Sequence, residues 1–244
     1  MPLPARIAAA LAALSTALPV LAAGDACEAV SGAQATPVVE LYTSEGCSSC
    51  PPADRWLSHL KPAAAQGRVV AQAFHVGYWD YIGWVDRFAA PAHTARQRQL
   101  AAQNGLSGIY TPQLVVNGHD TRDYDKVLAR RAEPAGASIR IVRGAADAFE
   151  ATVTPTDAGS RWAAYWTVTE NGHSSKVKAG ENAGELLQHD FVVRQYVAAG
   201  QYQGPQQLKL RAVAGDGSHR RQVNLVVFDP RTGKPMQALG LACS

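Results

Sequence analysis

The chain has 244 residues, of which 47% are hydrophobic and 18% are charged, and its 23 Lys and Arg against 20 Asp and Glu give a formal net charge of +3. The basic residues are scattered, apart from the pairs Arg130-Arg131 and Arg220-Arg221. Nucleic-acid binding proteins concentrate basic residues in a patch or stripe, so this distribution argues against a nucleic-acid partner.

The N-terminal segment has the layout of a secretory signal peptide. Arg6 precedes an apolar run over residues 7–21, and Ala22-Ala23-Gly24 follow. A run of this length fits a signal peptide and is shorter than a membrane span. We therefore predict a signal peptide over residues 1–23, cleaved somewhere in 22–26, and a periplasmic or secreted protein with no membrane span in its mature chain. A retained N-terminal anchor is the alternative.

Residues 37–134 alternate strand and helix signals. In chain order, they predict a buried strand at 38–43, a helix at 52–60, a strand at 68–76, a helix at 91–104, and a strand at 112–116. Asn117-Gly118 predicts a hairpin turn to a short strand at 119–122, and Asp123 caps a closing helix that ends near Pro134. This alternation predicts an α/β domain whose sheet is connected by helices.

From residue 137 onward the helical pattern largely disappears. Short alternating stretches predict strands at 138–142, 149–154, 161–169, 208–213 and 222–228, and Asn171-Gly172 and residues 229–233 supply turns. The sequence therefore predicts a second, all-β, sandwich-like domain over residues 135–244. Its polar stretches at 181–184 and His189-Asp190 show no catalytic spacing, so we interpret this domain as a partner-binding or structural cover for the first.

The four cysteines are of two kinds. Cys47 and Cys50 form a C-x-x-C pair, whereas Cys27 and Cys243 lie at opposite ends of the mature chain, and chain ends are often close together in compact proteins. Disulfides persist in exported proteins. We predict a disulfide between Cys27 and Cys243. One free or intermolecular cysteine at each end is the alternative.

The order strand, C-x-x-C, helix, strand, helix, threonine-proline, strand, hairpin, helix resembles the thioredoxin superfamily over about residues 37–133. Three segments are similar to a secreted bacterial thioredoxin-like family of unknown function: VVELYTSEGCSSCPPAD at 38–54, YWDYIGWVD at 78–86 and YTPQLVVNG at 110–118. This resemblance implies an α/β thioredoxin-like domain followed by a C-terminal β-rich domain.

The chemistry of the C-x-x-C pair follows from its place at a strand–helix junction. A helix N-terminus offers unpaired N–H groups and a positive dipole end, which favour a thiolate. We predict that Cys47 is the nucleophile and that Cys50 resolves the mixed disulfide. Pro51 and Pro52 follow directly, so the regular helix should begin at Cys50 or Pro51, which weakens the dipole effect on Cys47.

Two further candidates accompany the cysteines. The resemblance implies a cis bond at Thr111-Pro112, in a loop beside the cysteines that pairs with an extended substrate segment; a proline that merely begins a strand is the alternative. Glu40 lies inside an otherwise apolar strand, where a buried carboxylate needs a partner or a purpose. It is either a proton acceptor for Cys50 or one half of a salt bridge at the edge of the strand.

His75 ends the second predicted strand, where strand termini meet ligands in α/β sheets. With Cys47 and Cys50 it would complete a copper or zinc site, since thiolate and imidazole suit these metals. A structural histidine with satisfied hydrogen bonds is the competing interpretation.

Four aromatic residues follow His75 in the loop at 78–86. They either form the groove wall for a protein partner or pack a long crossover loop. These residues are Tyr78, Trp79, Tyr81 and Trp84.

Two functions from different classes follow. The favoured one is a monomeric, cofactor-independent thiol–disulfide oxidoreductase that exchanges electrons between Cys47–Cys50 and protein or small-molecule thiols and disulfides in the periplasm. The alternative is a non-enzymatic copper or zinc binding or delivery protein that uses the same cysteines with His75. The short spacer and the presence of only two methionines, Met1 and Met236, favour the oxidoreductase.

Overall fold

The structure is a computed structural model that describes residues 27–129, 133–145 and 147–243. The signal peptide predicted over residues 1–23 lies outside the described residues. Within the described ranges, we find no helix with the length and apolar character needed to cross a membrane.

The described residues are mostly strands, with three short α-helices and one 3-10 turn. In chain order these elements are β1 (Glu28–Val30), β2 (Val38–Thr43), α1 (Cys50–Ser58), α2 (Lys61–Ala65), β3 (Val70–His75), the 3-10 turn (Asp80–Ile82), α3 (Pro91–Gln103), β4 (Gln113–Val116), β5 (His119–Thr121), β6 (Ala137–Arg143), β7 (Ala148–Pro155), β8 (Arg161–Asn171), β9 (His173–Lys176), β10 (Leu186–His189), β11 (Val192–Gln203), β12 (Gln206–Arg211), β13 (Arg220–Phe228) and β14 (Pro235–Leu241).

The largest sheet has eight strands in the order β14-β13-β8-β11-β3-β2-β4-β5. Strands β2 and β3 are parallel, and β4 and β5 continue the sheet in antiparallel pairing. At the centre, β11 runs parallel to β3 with Val192 opposite Ala73, and the Ala73 amide donates to the Phe191 carbonyl at 2.8 Å. Strands from before and after residue 135 therefore form one continuous sheet.

This sheet contradicts the predicted fold class, an α/β thioredoxin-like domain followed by a separate all-β, sandwich-like domain. The described residues are instead mostly β, with 43% strand and 14% helix, and their large sheet is mixed. The physical reason lies in β3, which is buried along its whole length. Buried backbone groups must be hydrogen-bonded, and β11, a strand absent from the sequence prediction, pairs with the edge that β2 leaves free.

A second sheet, in the order β1-β6-β7-β12, covers one face of the large sheet. The side chains between the two sheets form the largest core, which includes Trp162 and Trp166 of β8 and Leu225 of β13. Cys27 and Cys243 form a disulfide, with 5.8 Å between their Cα atoms, that packs against the edge of this core.

The part of the large sheet around β2 is covered by different helices on its two faces. On one face, Leu41 of β2 packs with Leu57 of α1. On the other, Tyr42 of β2 packs with Leu100 of α3. Because successive side chains of a strand point to opposite faces, Glu40 lies on the α3 face with Tyr42, away from α1.

Several predicted elements form as expected and one does not. The strand at 38–43 is confirmed, and helix α1 begins at Cys50, as the two prolines after it predicted. The closing helix predicted after Asp123 is wrong in the described residues, where 125–129 form turns. The rest of that prediction falls partly on residues 130–132, which lie outside the described residues.

Candidate functional site

The site is centred on the Cys47–Cys50 disulfide at the junction between β2 and α1, with 5.5 Å between the two Cα atoms. The Cys47 amide donates to the Ser44 carbonyl at 3.2 Å, and the Cys50 amide donates to the Cys47 carbonyl at 3.2 Å. Cys47 stands three residues before the helix begins. The helix dipole therefore acts more weakly on Cys47 than on Cys50, because its effect falls off within one turn.

Both cysteines are shielded from solvent, with exposed fractions of 1% for Cys47 and 0% for Cys50. On one side, Trp79 packs against Gly46 so closely that an added Cβ on Gly46 would lie 2.9 Å from the Trp79 Cβ. The aromatic residue that thioredoxins commonly carry before the first cysteine has no room here. Trp79 also donates from its indole Nε1 to the Thr111 hydroxyl at 2.8 Å.

The Thr111–Pro112 peptide bond is cis, and Trp79 connects this loop to the turn that precedes Cys47. The structure thus brings Thr111 and Pro112 next to the cysteine turn, the position that the resemblance implied. Pro112 also lines a cleft of about 260 Å³ that runs along the start of α1. The other lining residues are Ser49, Pro52, Ala53, Trp56 and Tyr124.

Of the two interpretations of Glu40, the structure contains the salt bridge, and the position of Glu40 does not support a role as proton acceptor for Cys50. It lies on the α3 face of β2, opposite the face that carries α1. Arg96 of α3 donates to its two carboxylate oxygens at 2.8 and 2.6 Å, and the hydroxyls of Tyr42 and Tyr165 donate to it at 2.7 and 3.0 Å. Glu40 therefore holds one half of a buried ion pair that ties α3 to the sheet.

The carboxyl group that shares helix α1 with Cys50 is Asp54, which was not predicted from the sequence. It lies in α1 one turn after Cys50, so the two side chains share a helix face, and both are buried. The Thr43 hydroxyl donates to Asp54 at 3.0 Å. Burial raises the pKa of Asp54 above its usual value, despite the opposing effects of His189 and His75. The four-residue spacing from Cys50 was the signal available in the sequence.

His75 forms a buried ion pair with Asp86, whose Oδ2 lies 2.7 Å from His75 Nδ1. Burial favours neutral imidazole, but the carboxylate of Asp86 outweighs it and raises the pKa of His75. His75 is therefore held at Nδ1 by the ion pair, but its Nε2 is buried without a hydrogen-bond partner, so the interpretation as a histidine with satisfied hydrogen bonds is met at only one of its two ring nitrogens. The alternative metal site at Cys47, Cys50 and His75 is not formed, and the described part of the chain has no cluster of histidine, cysteine or acidic residues arranged to hold a metal ion.

A second buried pair, Glu45 with His189, lies beside the first. His189 Nε2 is 3.1 Å from one oxygen of Glu45, and the Trp84 indole donates to the other at 2.7 Å. Burial works against ionisation of Glu45, but the hydrogen bonds from His189 and Trp84 outweigh it and hold its pKa below the usual range. The Glu45 amide donates to Asp86 at 3.0 Å, which links the two pairs behind the cysteine turn.

The His75–Asp86 pair predicts a pH-dependent stability. Because the folded-state pKa of His75 is raised, the pair's contribution is fully present below the unfolded value of about 6.5 and is lost as pH rises through the folded value. We expect the free energy of unfolding, measured with denaturant, to fall over this window. Asp86→Asn should flatten the fall, whereas the exposed His59→Gln should leave it unchanged. If the free energy of unfolding of Asp86→Asn fell with pH as steeply as that of the wild type, the His75–Asp86 pair would not be its cause.

Of the four aromatic residues in the loop at 78–86, three pack within the protein and one is exposed. Trp79 and Trp84 are held by the hydrogen bonds described above. Tyr78 packs at the edge of the apolar cluster between β2 and α3 that contains Tyr42 and Leu100. These three residues pack the crossover loop. Tyr81 is different, because 82% of its surface is exposed, as is 71% of Val85.

The loop that joins β9 and β10, residues 177–185, contacts the cysteine turn; we call it the cap. It closes on itself at its base, where the Val177 amide donates to the Glu185 carbonyl at 2.9 Å and the Gly184 amide donates back to the Val177 carbonyl at 3.0 Å. Among the described strands, β9 and β10 pair only with each other. The cap is therefore the tip of a two-stranded hairpin outside the large sheets.

Two consecutive residues of the cap bind the backbone of the cysteine turn. The Asn182 side-chain amide donates to the carbonyls of Glu45 and Cys47 at 2.8 and 3.1 Å. The Ser48 amide donates to the Glu181 carboxylate at 2.9 Å. The sequence analysis noticed this polar stretch but found no role for it.

Residues 38–228 match a family described as "Protein of unknown function (DUF1223)". The crystal structure of protein AGR_C_4864 from Agrobacterium tumefaciens is similar, with 27% identity and a TM-score of 0.65 over 85% of this chain and 94% of that one. HBP35 of Porphyromonas gingivalis, at 16% identity and a TM-score of 0.58, covers 86% of this chain and 75% of its own and is similar in fold alone. No curated protein matches the chain.

Proposed function

We propose that this chain, which belongs to the DUF1223 family of proteins of unknown function, is a thiol–disulfide oxidoreductase that uses the Cys47–Cys50 pair. The observation that carries the proposal is a C-x-x-C disulfide at the turn between a buried strand and a helix, with Trp79 joining that turn to the Thr111–Pro112 loop. The resemblance of the sequence to the thioredoxin superfamily is used here for this site only, and not for the whole fold.

The exchange proceeds through a mixed disulfide. A thiolate of the partner attacks Cys47 Sγ, the Cys47–Cys50 bond breaks, and its electron pair remains on Cys50 as a thiolate. A second thiolate of the partner then attacks the partner sulfur of the mixed disulfide, which releases Cys47 as a thiolate. The partner dithiol loses two electrons and the Cys47–Cys50 pair gains them; with a partner disulfide the same steps run in reverse.

Asp54 is suited to handle the proton of Cys50. It lies one turn further along α1, is buried with Cys50, and has a raised pKa because of its burial. A carboxyl group with a raised pKa is better able to give a proton to a nascent thiolate and to recover it later. This role replaces the one predicted for Glu40.

The proposal includes a location outside the cytoplasm. The disulfide between Cys27 and Cys243 supports it, because disulfides persist in the periplasm and in secreted proteins and are rare where thiols are kept reduced. Thiols or disulfides of other molecules are the proposed partners, and the exchange needs no cofactor.

The reduction potential of Cys47–Cys50 tests the proposal. The oxidised protein is equilibrated with thiol–disulfide buffers of graded potential, and free thiols are mapped by alkylation and mass spectrometry. We expect a value between roughly −270 and −120 mV, the range of known oxidoreductases. Cys47→Ser should abolish exchange, and Cys50→Ser should accumulate a mixed disulfide at Cys47.

Cys27 and Cys243 serve as the internal control, because their disulfide should remain intact across the same buffers. A Cys47–Cys50 pair that stays oxidised down to about −300 mV behaves as a structural disulfide. That result would refute the oxidoreductase function.

A further inference from the structure

We infer that residues 177–185, the cap, keep small thiols away from the Cys47–Cys50 disulfide, so that the substrate is a protein dithiol whose docking beside the cap displaces it. This inference rests on the proposed function and names its substrate class. It starts from the shielding of both sulfur atoms, which together expose almost no surface. Disulfide exchange requires a thiolate to reach a sulfur, so the closed structure must open before reaction.

The covering elements differ in how firmly they are held. Trp79 belongs to a loop that packs tightly on Gly46 and is fixed to Thr111 by a hydrogen bond. The cap, in contrast, is the tip of a hairpin that pairs with no other strand among the described residues. The base of that hairpin is anchored by the buried His189–Glu45 pair, whereas its tip gains little stability from the two-stranded pairing itself. The tip, and not the whole hairpin, is therefore the part that can open at the lowest free-energy cost.

The contacts that close the cap are few and local. Beyond the buried Val177 at its base, they include the two hydrogen bonds from Asn182, the bond from the Ser48 amide to Glu181, and the packing of Gly180 against Ile82, where an added Cβ would lie 3.1 Å from the Ile82 side chain. Gly180 and Gly184 have φ of +75° and +92°, a conformation that glycine adopts without strain. The cap closes on itself at its base, so it can move as a unit.

Opening exposes a specific pattern of backbone groups beside the reactive sulfur. The carbonyls of Glu45 and Cys47 lose a donor, and the Ser48 amide loses an acceptor. A polypeptide can replace these bonds with its own amides and carbonyls. A small thiol has too few hydrogen-bonding groups and too little surface to replace them. Because a ligand shifts the equilibrium between the closed and open cap only by its difference in affinity for the two states, a small thiol does not open the cap.

The margins of the cap offer a surface for such a polypeptide. Tyr81 and Val85, on the loop that the cap touches through Ile82, expose 82% and 71% of their surface, and Leu186, the first residue after the cap, exposes 63%. Between cap and α1 lies a cleft of about 430 Å³ that Leu186 and Arg55 help to line. Exposed aromatic and aliphatic groups favour contact with a protein, so the partner is expected to carry apolar residues near its cysteines.

The first experiment measures how fast dithiothreitol reduces Cys47–Cys50 in the oxidised full chain, by quenched alkylation at pH 7. Asn182→Ala should raise the second-order rate constant by about ten- to a hundredfold, the factor that two hydrogen bonds contribute to an opening equilibrium. Glu181→Ala, a change in an exposed side chain that leaves folding intact, should raise it about two- to tenfold. The matched control is Glu185→Ala, an acid of the same loop, which should change the rate less than twofold.

The second experiment repeats the measurement with reduced, unfolded ribonuclease A as a protein dithiol. We expect the ratio of the ribonuclease rate to the dithiothreitol rate to be higher in the wild type than in Asn182→Ala or Glu181→Ala. Tyr81→Ser should slow the ribonuclease reaction several-fold and leave the dithiothreitol reaction unchanged.

The outcomes distinguish a failure of this inference from a failure of the proposed function. The proposed role of the cap is overturned if both cap variants react with dithiothreitol at the wild-type rate, or if the ratio of the ribonuclease rate to the dithiothreitol rate is equal in all proteins. This holds even if the reduction potential of the disulfide lies in the range of oxidoreductases. A disulfide whose potential is in the structural range refutes the oxidoreductase, whatever the cap variants do.

Discussion

Arg96→Met is expected to destabilise the protein by about 3–5 kcal/mol, the usual cost of removing one partner from a buried ion pair. Arg96 donates two hydrogen bonds to Glu40, and its guanidinium lies 4.0 Å from the centre of the Tyr165 ring. Without Arg96, the Glu40 carboxylate stays buried between α3 and the sheet with only two tyrosine hydroxyls. The free energy of unfolding in denaturant measures the loss.

Two further variants show whether the buried charge is the cause. Arg98→Met, at an exposed position of the same helix, should change the stability by no more than about 0.5 kcal/mol. The double variant Glu40→Gln with Arg96→Met removes both charges; the amide oxygen can accept from one tyrosine hydroxyl and the amide NH2 can donate to the other, so the variant should recover most of the loss. A double variant as unstable as Arg96→Met alone would show that packing, and not the uncompensated carboxylate, explains the effect.

Removal of the Cys27–Cys243 disulfide is the second change with a large expected effect. The bridge joins residues 216 positions apart, and in the chain-entropy model a loop of that length stabilises the folded state by up to roughly 5 kcal/mol. The double variant Cys27→Ser with Cys243→Ser should lose a large part of this free energy. Denaturant unfolding under non-reducing conditions measures it.

The Cys47–Cys50 bridge provides the matched comparison. It closes a loop with a sequence separation of only 3, so the same model assigns it a much smaller stabilisation. Cys47→Ser with Cys50→Ser should therefore cost clearly less than the loss of the long-range bridge. Equal losses from the two double variants would contradict the entropic explanation and point to strain or to structure in the unfolded chain.

The sequence predicted the local structure around the cysteines well. The strand Val38–Thr43 and the start of α1 at Cys50 follow from an uninterrupted apolar run and from prolines that fit only the first turn of a helix. The hairpin at Asn117 and Gly118 follows from their tolerance of positive φ, and both adopt it, at +51° and +80°. These features depend on a few neighbouring residues.

Features that depend on contacts between distant residues could not be predicted from the sequence. The apolar strand around Glu40 indicated that this carboxylate needs a partner, but the partner is Arg96, 56 positions away. Asn182 stands in a polar stretch without catalytic spacing, yet its side chain binds the Glu45 carbonyl across 137 positions. The change in pattern near residue 135 predicted two domains, whereas β3 and β11 join both halves in one sheet.

The amino-acid sequence by itself determined the cysteine turn, its helix and the hairpin, because backbone preferences and turn chemistry act over a few residues. Only the tertiary structure decided which strand pairs with the free edge of β3, which face of β2 holds the buried ion pair, and which loop binds the backbone of the cysteine turn. Pairing between distant strands depends on which buried edges and polar groups remain unsatisfied when the chain collapses, and that information is spread over the whole chain.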